Sequence, residues 1–273
     1  MQIISIFAAV KSLQQIITPI AAEMRQFEAF FAQTLKADTD PMDGIMRYVL
    51  DSRGKRLRPI LVLLSAKLFG EINEQTLRAA TFAEMIHSAT IIHDDVVDGD
   101  DRRRGQASVK AAFGNLSAVL AGDYLLARAM LLLAQPADLV IMQEMLRTTA
   151  AMSEGELMQS IVVDCVPQSE KTTQYLDIIT RKTALLMRSC CVAGALSVGA
   201  IPEQVQQIAD FGLHFGILFQ LRDDLLDGEN TEMAQALLPT YLNKTLKALE
   251  GFPPTETLQA LRELTTFCAE REG

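Results

Sequence analysis

The chain is defined first by what it lacks. Its 273 residues hold four cysteines. Cys190 and Cys191 are adjacent, Cys165 and Cys268 stand alone, and no pair has metal-ligand spacing or makes a secretory disulfide framework. Free thiols in a reducing cytoplasm are therefore expected. No Pro/Gly/Ser linker, low-complexity tract or short-period repeat divides the chain, so residues 1–273 read as a single domain. No basic run is long enough for nucleic acid, and the net charge is −9. Met1–Val10 is apolar but has no basic leader region, which argues against a signal peptide. The apolar stretch Tyr124–Ala134 is broken by Arg128 and reads as too short to cross a bilayer. Alternating β-type runs are scarce, and no Ser or Cys nucleophile constellation stands out.

What is present is helix. Ala, Leu, Met, Gln and Glu recur at apolar spacings of three and four, punctuated at Pro41, Gly70, Gly114, Pro136, Pro167, Pro202 and Pro253-Pro254. The pattern predicts an all-α chain with helices near 7–36, 42–51, 59–69, 74–98, 116–134, 138–160, 172–199, 203–227, 232–249 and 255–271. About ten mostly antiparallel helices would then surround a central apolar cavity.

The helices at 74–98 and 203–227 end in the same pattern, Asp94-Asp95-Val96-Val97-Asp98 and Asp223-Asp224-Leu225-Leu226-Asp227. On a helix the first and last Asp of each motif share a face, with the middle one turned about 100° away. Crowded carboxylates on an apolar helix need a cation, and oxygen-only ligands suit a hard ion such as magnesium. Two solvated helix ends would explain one such motif; two matching copies point to a shared metal site.

Cations alternate with these acids. Gly54-Lys55-Arg56-Leu57-Arg58-Pro59 precedes an apolar helix; it is not a Walker A loop, having one Gly and no Ser or Thr after the Lys. It can still clamp phosphate through Lys charge and forked Arg donors. His87 lies two turns before Asp94 and about 20° off its face. Asp100-Asp101-Arg102-Arg103-Arg104-Gly105 follows the first motif, Arg181-Lys182-Thr183-Ala184 supplies a cation beside a hydroxyl, and Phe219-Gln220 precedes the second motif. His93 points about 100° away from Asp94 and suits a packing role.

In these segments, GKRLRP at 54–59, IHSATIIHDDVVDGDDRRRG at 86–105, RKTALL at 181–186 and GILFQLRDDLLD at 216–227, the chain resembles the trans-polyprenyl diphosphate synthases. The resemblance runs from about Gly44 to Asp227 and implies the isoprenoid synthase fold. It implies that isopentenyl diphosphate is joined to an allylic prenyl diphosphate by a cytoplasmic homodimer. Lys55, Arg58, His87 and Arg104 would bind the isopentenyl diphosphate. Arg103, Lys182, Thr183 and Gln220 would contact the allylic diphosphate, Lys182 with a catalytic role. Asp94, Asp98 and Asp223 would be the main metal ligands, with Asp95, Asp224 and Asp227 weaker, holding roughly three Mg2+ ions with the substrate diphosphate. Ala89 and Thr90 would set chain length. Thr90 lies about 40° from the Asp94 direction and about 6 Å below it, whereas Ala89 rests on the resemblance alone. Neither is aromatic, so a long, octaprenyl-class product is expected.

After Asp227 the family pattern departs. Such enzymes continue with G-K-x-x-G-x-D and G-K-x-T-L-P segments, whereas Gly228-Glu229-Asn230 here leads straight into a helical pattern holding only Asn243-Lys244-Thr245-Leu246. Either the natural chain is short there or a stretch is absent from the sequence. A terpene cyclase would carry an Asn/Ser/Glu-type second motif, and a non-catalytic subunit would lack intact aspartate motifs.

Overall fold

The computed structural model describes residues 11–271 except 53, 104, 136–137 and 162–167. Arg104, Cys165 and the expected helix start before residue 11 lie outside the described residues. The fold is all-α. In chain order the helices are α1 (Leu13–Ile16), α2 (Ala21–Leu35), α3 (Asp40–Asp51), α4 (Leu57–Phe69), α5 (Glu74–Val97), α6 (Val109–Phe113) and α7 (Asn115–Leu133). They continue with α8 (Leu139–Ile161), α9 (Gln168–Ile179), α10 (Leu185–Ser197), α11 (Pro202–Asp227), α12 (Thr231–Ala248) and α13 (Glu256–Glu270).

α4 is apolar on all sides and buried from Leu57 through Ala66 apart from Arg58, as a central helix must be. α10 packs against α4, α5, α8 and α11. It approaches α4 so closely that a Cβ on Gly194 would lie 2.2 Å from the Val62 carbonyl oxygen. α5 starts at a reciprocal cap in which Asn73 accepts from the Thr76 amide at 3.1 Å and the Asn73 amide donates to the Thr76 hydroxyl at 3.3 Å. α11 starts with Pro202 at its first turn and stops at Gly228, whose φ of 77° closes the helix in the left-handed region.

The expected helices are present, with three differences. The first segment breaks at Thr18–Ile20, a 3₁₀ turn containing Pro19, which cannot continue the preceding hydrogen-bond ladder. The segment expected as one helix over 172–199 is two, joined by a π-turn at Thr180–Ala184. Between the first motif and α7 the chain folds into a two-stranded hairpin, β1 (Arg102–Arg103) and β2 (Gln106–Ala107), followed by α6. Ser108 caps α6 by accepting from the Ala111 amide at 3.2 Å.

α7 is longer than its apolar core suggested. It runs 19 residues with a mean hydropathy of 1.6, enough by length and composition alone to cross a membrane. One face packs into the protein while Leu116, Leu120 and Leu131 remain exposed. Ala118, Ala121, Gly122, Leu125, Ala129 and Leu133 are buried, α5 lies against it, and Arg128 donates to the Thr34 carbonyl at 2.9 Å.

Candidate active site

α5 and α11 bring the two aspartate motifs to one cavity of about 690 Å³. Asp94 and Asp98 line it from α5, and Gln220, Asp224 and Asp227 from α11. The α9 residues Gln174, Tyr175 and Ile178 complete the wall with Lys182 of the π-turn. Asp95 turns away, as the helical geometry required. The Arg103 guanidinium donates to its Oδ1 at 2.8 and 2.5 Å, and the hairpin is what folds Arg103 back onto it. Arg103 also reaches the cavity.

The second motif is arranged differently from the expectation that Asp223 and Asp227 share the site face. Asp223 opens instead into a second cavity, of about 520 Å³, where it is paired with Arg271. Adjacent residues on a helix point about 100° apart. α11 is seated so that positions 220, 224 and 227 face the first cavity while 219 and 223 face the second. Lys55, Arg58 and His87, expected to act together, do line one cavity, this second one.

Arg56, the remaining cation of that cluster, points into the protein. Its φ of 52° puts it in the left-handed region, a strained conformation for a residue with a side chain. Its guanidinium donates to Glu84 at 2.7 Å and Glu28 at 3.1 Å and stacks over Phe31. This buried anchorage sets the turn from which Lys55 and Arg58 reach the cavity.

The π-turn carrying Lys182 and Thr183 is pinched by two glycines. A Cβ on Gly155 of α8 would lie 2.7 Å from the Arg181 Cβ, and one on Gly216 of α11 would lie 2.5 Å from the Ala184 Cα. Lys182 pairs with Glu156 at 2.8 Å and donates to Gln159 at 3.0 Å. The Thr183 hydroxyl donates to Gln220 Oε1 at 2.8 Å, and Gln220 Nε2 donates to Asp224 Oδ1 at 2.8 Å. Thr183 and Gln220, expected on the same substrate, are thus in contact.

Electrostatics mark the first cavity. Burial, with Glu156 beside it, pushes the Asp94 carboxyl up to about 6, against the opposing pull of Lys182. Burial also raises Asp223, opposed by Arg271. Among the described residues no three His, Cys, Asp or Glu side chains converge into a ready-made metal cluster. Like charges spread apart until a cation draws them in.

Sequence reasoning missed Tyr175, Glu156 and Arg271. Tyr175 carried a signal, since it lies seven residues before Lys182, as His87 does before Asp94. Ala89 is fully buried in the core, and the Thr90 hydroxyl donates to the Ile86 carbonyl at 3.0 Å. Neither lines the two cavities above. His93 packs on Gly122 of α7, 3.2 Å from the Val119 carbonyl oxygen, the structural role expected of it. Lys244 of the Asn243–Leu246 segment lies on α12, over the Tyr241 ring.

Comparison with known proteins agrees with this architecture. The polyprenyl synthetase family model matches residues 39–235. The chain is 35% identical over 255 residues to the octaprenyl diphosphate synthase of Haemophilus influenzae, covering 93% of this chain and 74% of that one. It is 33% identical over 216 residues to the octaprenyl diphosphate synthase of Escherichia coli, covering 79% of this chain and 66% of that one. A polyprenyl synthase from Caulobacter crescentus, solved with calcium and isoprenyl diphosphate, superposes with a TM-score of 0.88 at 26% identity, covering 97% and 99% of the two chains. The chain belongs to the polyprenyl synthetase family of prenyl-transferring enzymes.

Proposed function

We propose that the chain condenses isopentenyl diphosphate with an allylic diphosphate and extends an all-trans polyprenyl diphosphate, to octaprenyl-class length. One observation carries this reading. Two cavities flank the second motif on α11, one rich in carboxylates with Lys182 and Gln220, the other holding Lys55, Arg58 and His87. Two diphosphate substrates need two such sites.

The first cavity suits magnesium. Its donors are carboxylate and amide oxygens, and burial with like charge disfavours the Asp94 anion, a penalty that a bound cation would relieve. Asp94 and Asp98 would supply the ligands of the first motif, and Asp223, which faces the second cavity, would have to turn from Arg271 to supply those of the second. Asp224 and Asp227 would back them, for roughly three ions in all. Magnesium, when bound, neutralises the charge that builds on departing diphosphate.

The chain's own groups do the rest. Lys182, Thr183, Gln220 and Arg103 orient the allylic diphosphate. Lys55, Arg58 and His87, with Arg104 assisting, hold the isopentenyl diphosphate so that its double bond faces the allylic carbon. Ile178, Ile179 and Met233 give the cavity an apolar part against which the carbocation's hydrocarbon would lie. The released diphosphate takes the final proton, so no dedicated His is required.

We also read the enzyme as a cytoplasmic homodimer. Cys190, Cys191 and Cys268 are buried thiols. The outer face of α7 exposes Leu116, Leu120 and Leu131, continued by Leu139 and Val140 of α8, a surface suited to a second copy.

Turnover of isopentenyl diphosphate with an allylic primer tests the reading. Asp94→Ala and Asp223→Ala should each abolish condensation with helicity retained. Near-normal rates in either at saturating magnesium would remove the metal assignment.

A further inference from the structure

Tyr175 of α9 has a ring and a hydroxyl in two different environments. The ring belongs to an apolar cluster with Ile179, Leu218, Leu221 and Ala234. The hydroxyl stands at the wall of the 690 Å³ cavity and donates to Asp224 Oδ2 at 2.5 Å. The other Asp224 oxygen accepts from Gln220, whose own carbonyl oxygen accepts from Thr183. One unbroken chain of hydrogen bonds therefore crosses from α9 to α11 and on to the π-turn.

We infer that Tyr175 is a positioning residue: its phenol fixes Asp224 and, through Gln220 and Thr183, the π-turn that presents Lys182 to the cavity. The inference rests on the reading above that this cavity receives a diphosphate with magnesium.

Packing alone does not call for the hydroxyl. Phenylalanine would fill the same apolar cluster. Asp224 is nearly buried, so its carboxylate must be hydrogen-bonded. Each of its oxygens accepts from one donor, which fixes its direction on the lining of the cavity that Asp94 and Asp98 share. Removing a group that orients the ligands of a metal site typically costs about 10–100-fold in affinity. The two ends of this hydrogen-bond chain, Tyr175 and Thr183, are eight residues apart in sequence, and Thr183 lies within the π-turn beside Lys182.

The test uses inorganic diphosphate with magnesium chloride, titrated calorimetrically into wild type, Tyr175→Phe, Asp224→Asn and the double variant. Tyr175→Phe should weaken diphosphate binding about tenfold, with KM for isopentenyl diphosphate unchanged. The double variant should bind no more weakly than the worse single one, because both changes break one unit. Hydrogen exchange over residues 180–184 should quicken in metal-free Tyr175→Phe. Unchanged affinity, or losses that multiply in the double variant, would overturn the inference. Failure of the cavity reading would look different: wild type and Asp94→Asn would bind diphosphate equally, or neither would bind. Exchange over 180–184 would then decide alone, and an unchanged rate in Tyr175→Phe would overturn the role of Tyr175.

Discussion

At the scale of single residues the acids of the first motif are divided by their neighbours. Asp95 has an arginine, whereas Asp94 has burial and Glu156, with Lys182 shared between the two. A carboxyl raised to about 6 when folded and near 3.8 when unfolded takes up protons on folding between those values. It therefore lowers stability above pH 6, and that penalty disappears as the pH falls below 4. Asp94→Asn should raise the stability of the metal-free protein at pH 7.5, by roughly 1 kcal/mol after allowing for its partial exposure, and should abolish condensation. Denaturant titrations at pH 7.5 and pH 4 check the sign; a variant less stable than wild type at pH 7.5 would contradict it. For the same reason magnesium-dependent turnover should fall as pH drops through about 6, since protons compete with the metal for Asp94.

At the scale of elements the π-turn is the feature on which Lys182 depends, and helices on either side hold it. Glycine in mid-helix normally costs about 1 kcal/mol relative to alanine, so Gly216→Ala would ordinarily stabilise α11. Here the added Cβ meets the Ala184 backbone, and overpacking of this kind costs about 1–3 kcal/mol. The variant should melt several degrees lower and lose affinity for the allylic substrate more than for isopentenyl diphosphate. A Tm at or above wild type would show that the turn gives way freely. The contact also explains what the sequence could and could not reveal. The helices and both aspartate motifs were legible because they follow from periodicity along one element. The division of Asp223 from Asp224 was only half legible. The 100° between them was known, but which one faces Asp94 depends on how α11 is seated and on Arg271, 48 residues away. The π-turn was not legible at all, since Gly155 and Gly216 act on it from other helices.

At the scale of the whole molecule, assembly and product length both depend on where the bundle leaves apolar surface or space. The exposed face of α7 predicts that Leu120→Asp with Leu131→Asp yields a monomer in sedimentation velocity, while a dimer that persists would place the contact elsewhere. Product length depends on the interior beneath the first motif, because a prenyl chain growing from a diphosphate at Asp94 must run down along α5. Three residues of that helix are small, though none lines the two cavities: Ala83 and Ala89 are fully buried, and Thr90 is partly buried one turn below Asp94. Their smallness could equally serve close packing of α5, and Ala89, buried in the core, is where a phenylalanine would cost about 1–3 kcal/mol by overpacking. Thr90→Phe is therefore the cleaner test, since its hydroxyl only bonds back to the Ile86 carbonyl within the same helix. Wild type should give octaprenyl-class products and Thr90→Phe markedly shorter ones, with the rate of the first condensation retained. Chromatography of the dephosphorylated products reads both. A wild-type product of only farnesyl or geranylgeranyl length, unchanged in Thr90→Phe and Ala89→Phe, would mean that the floor of the tunnel lies on another helix.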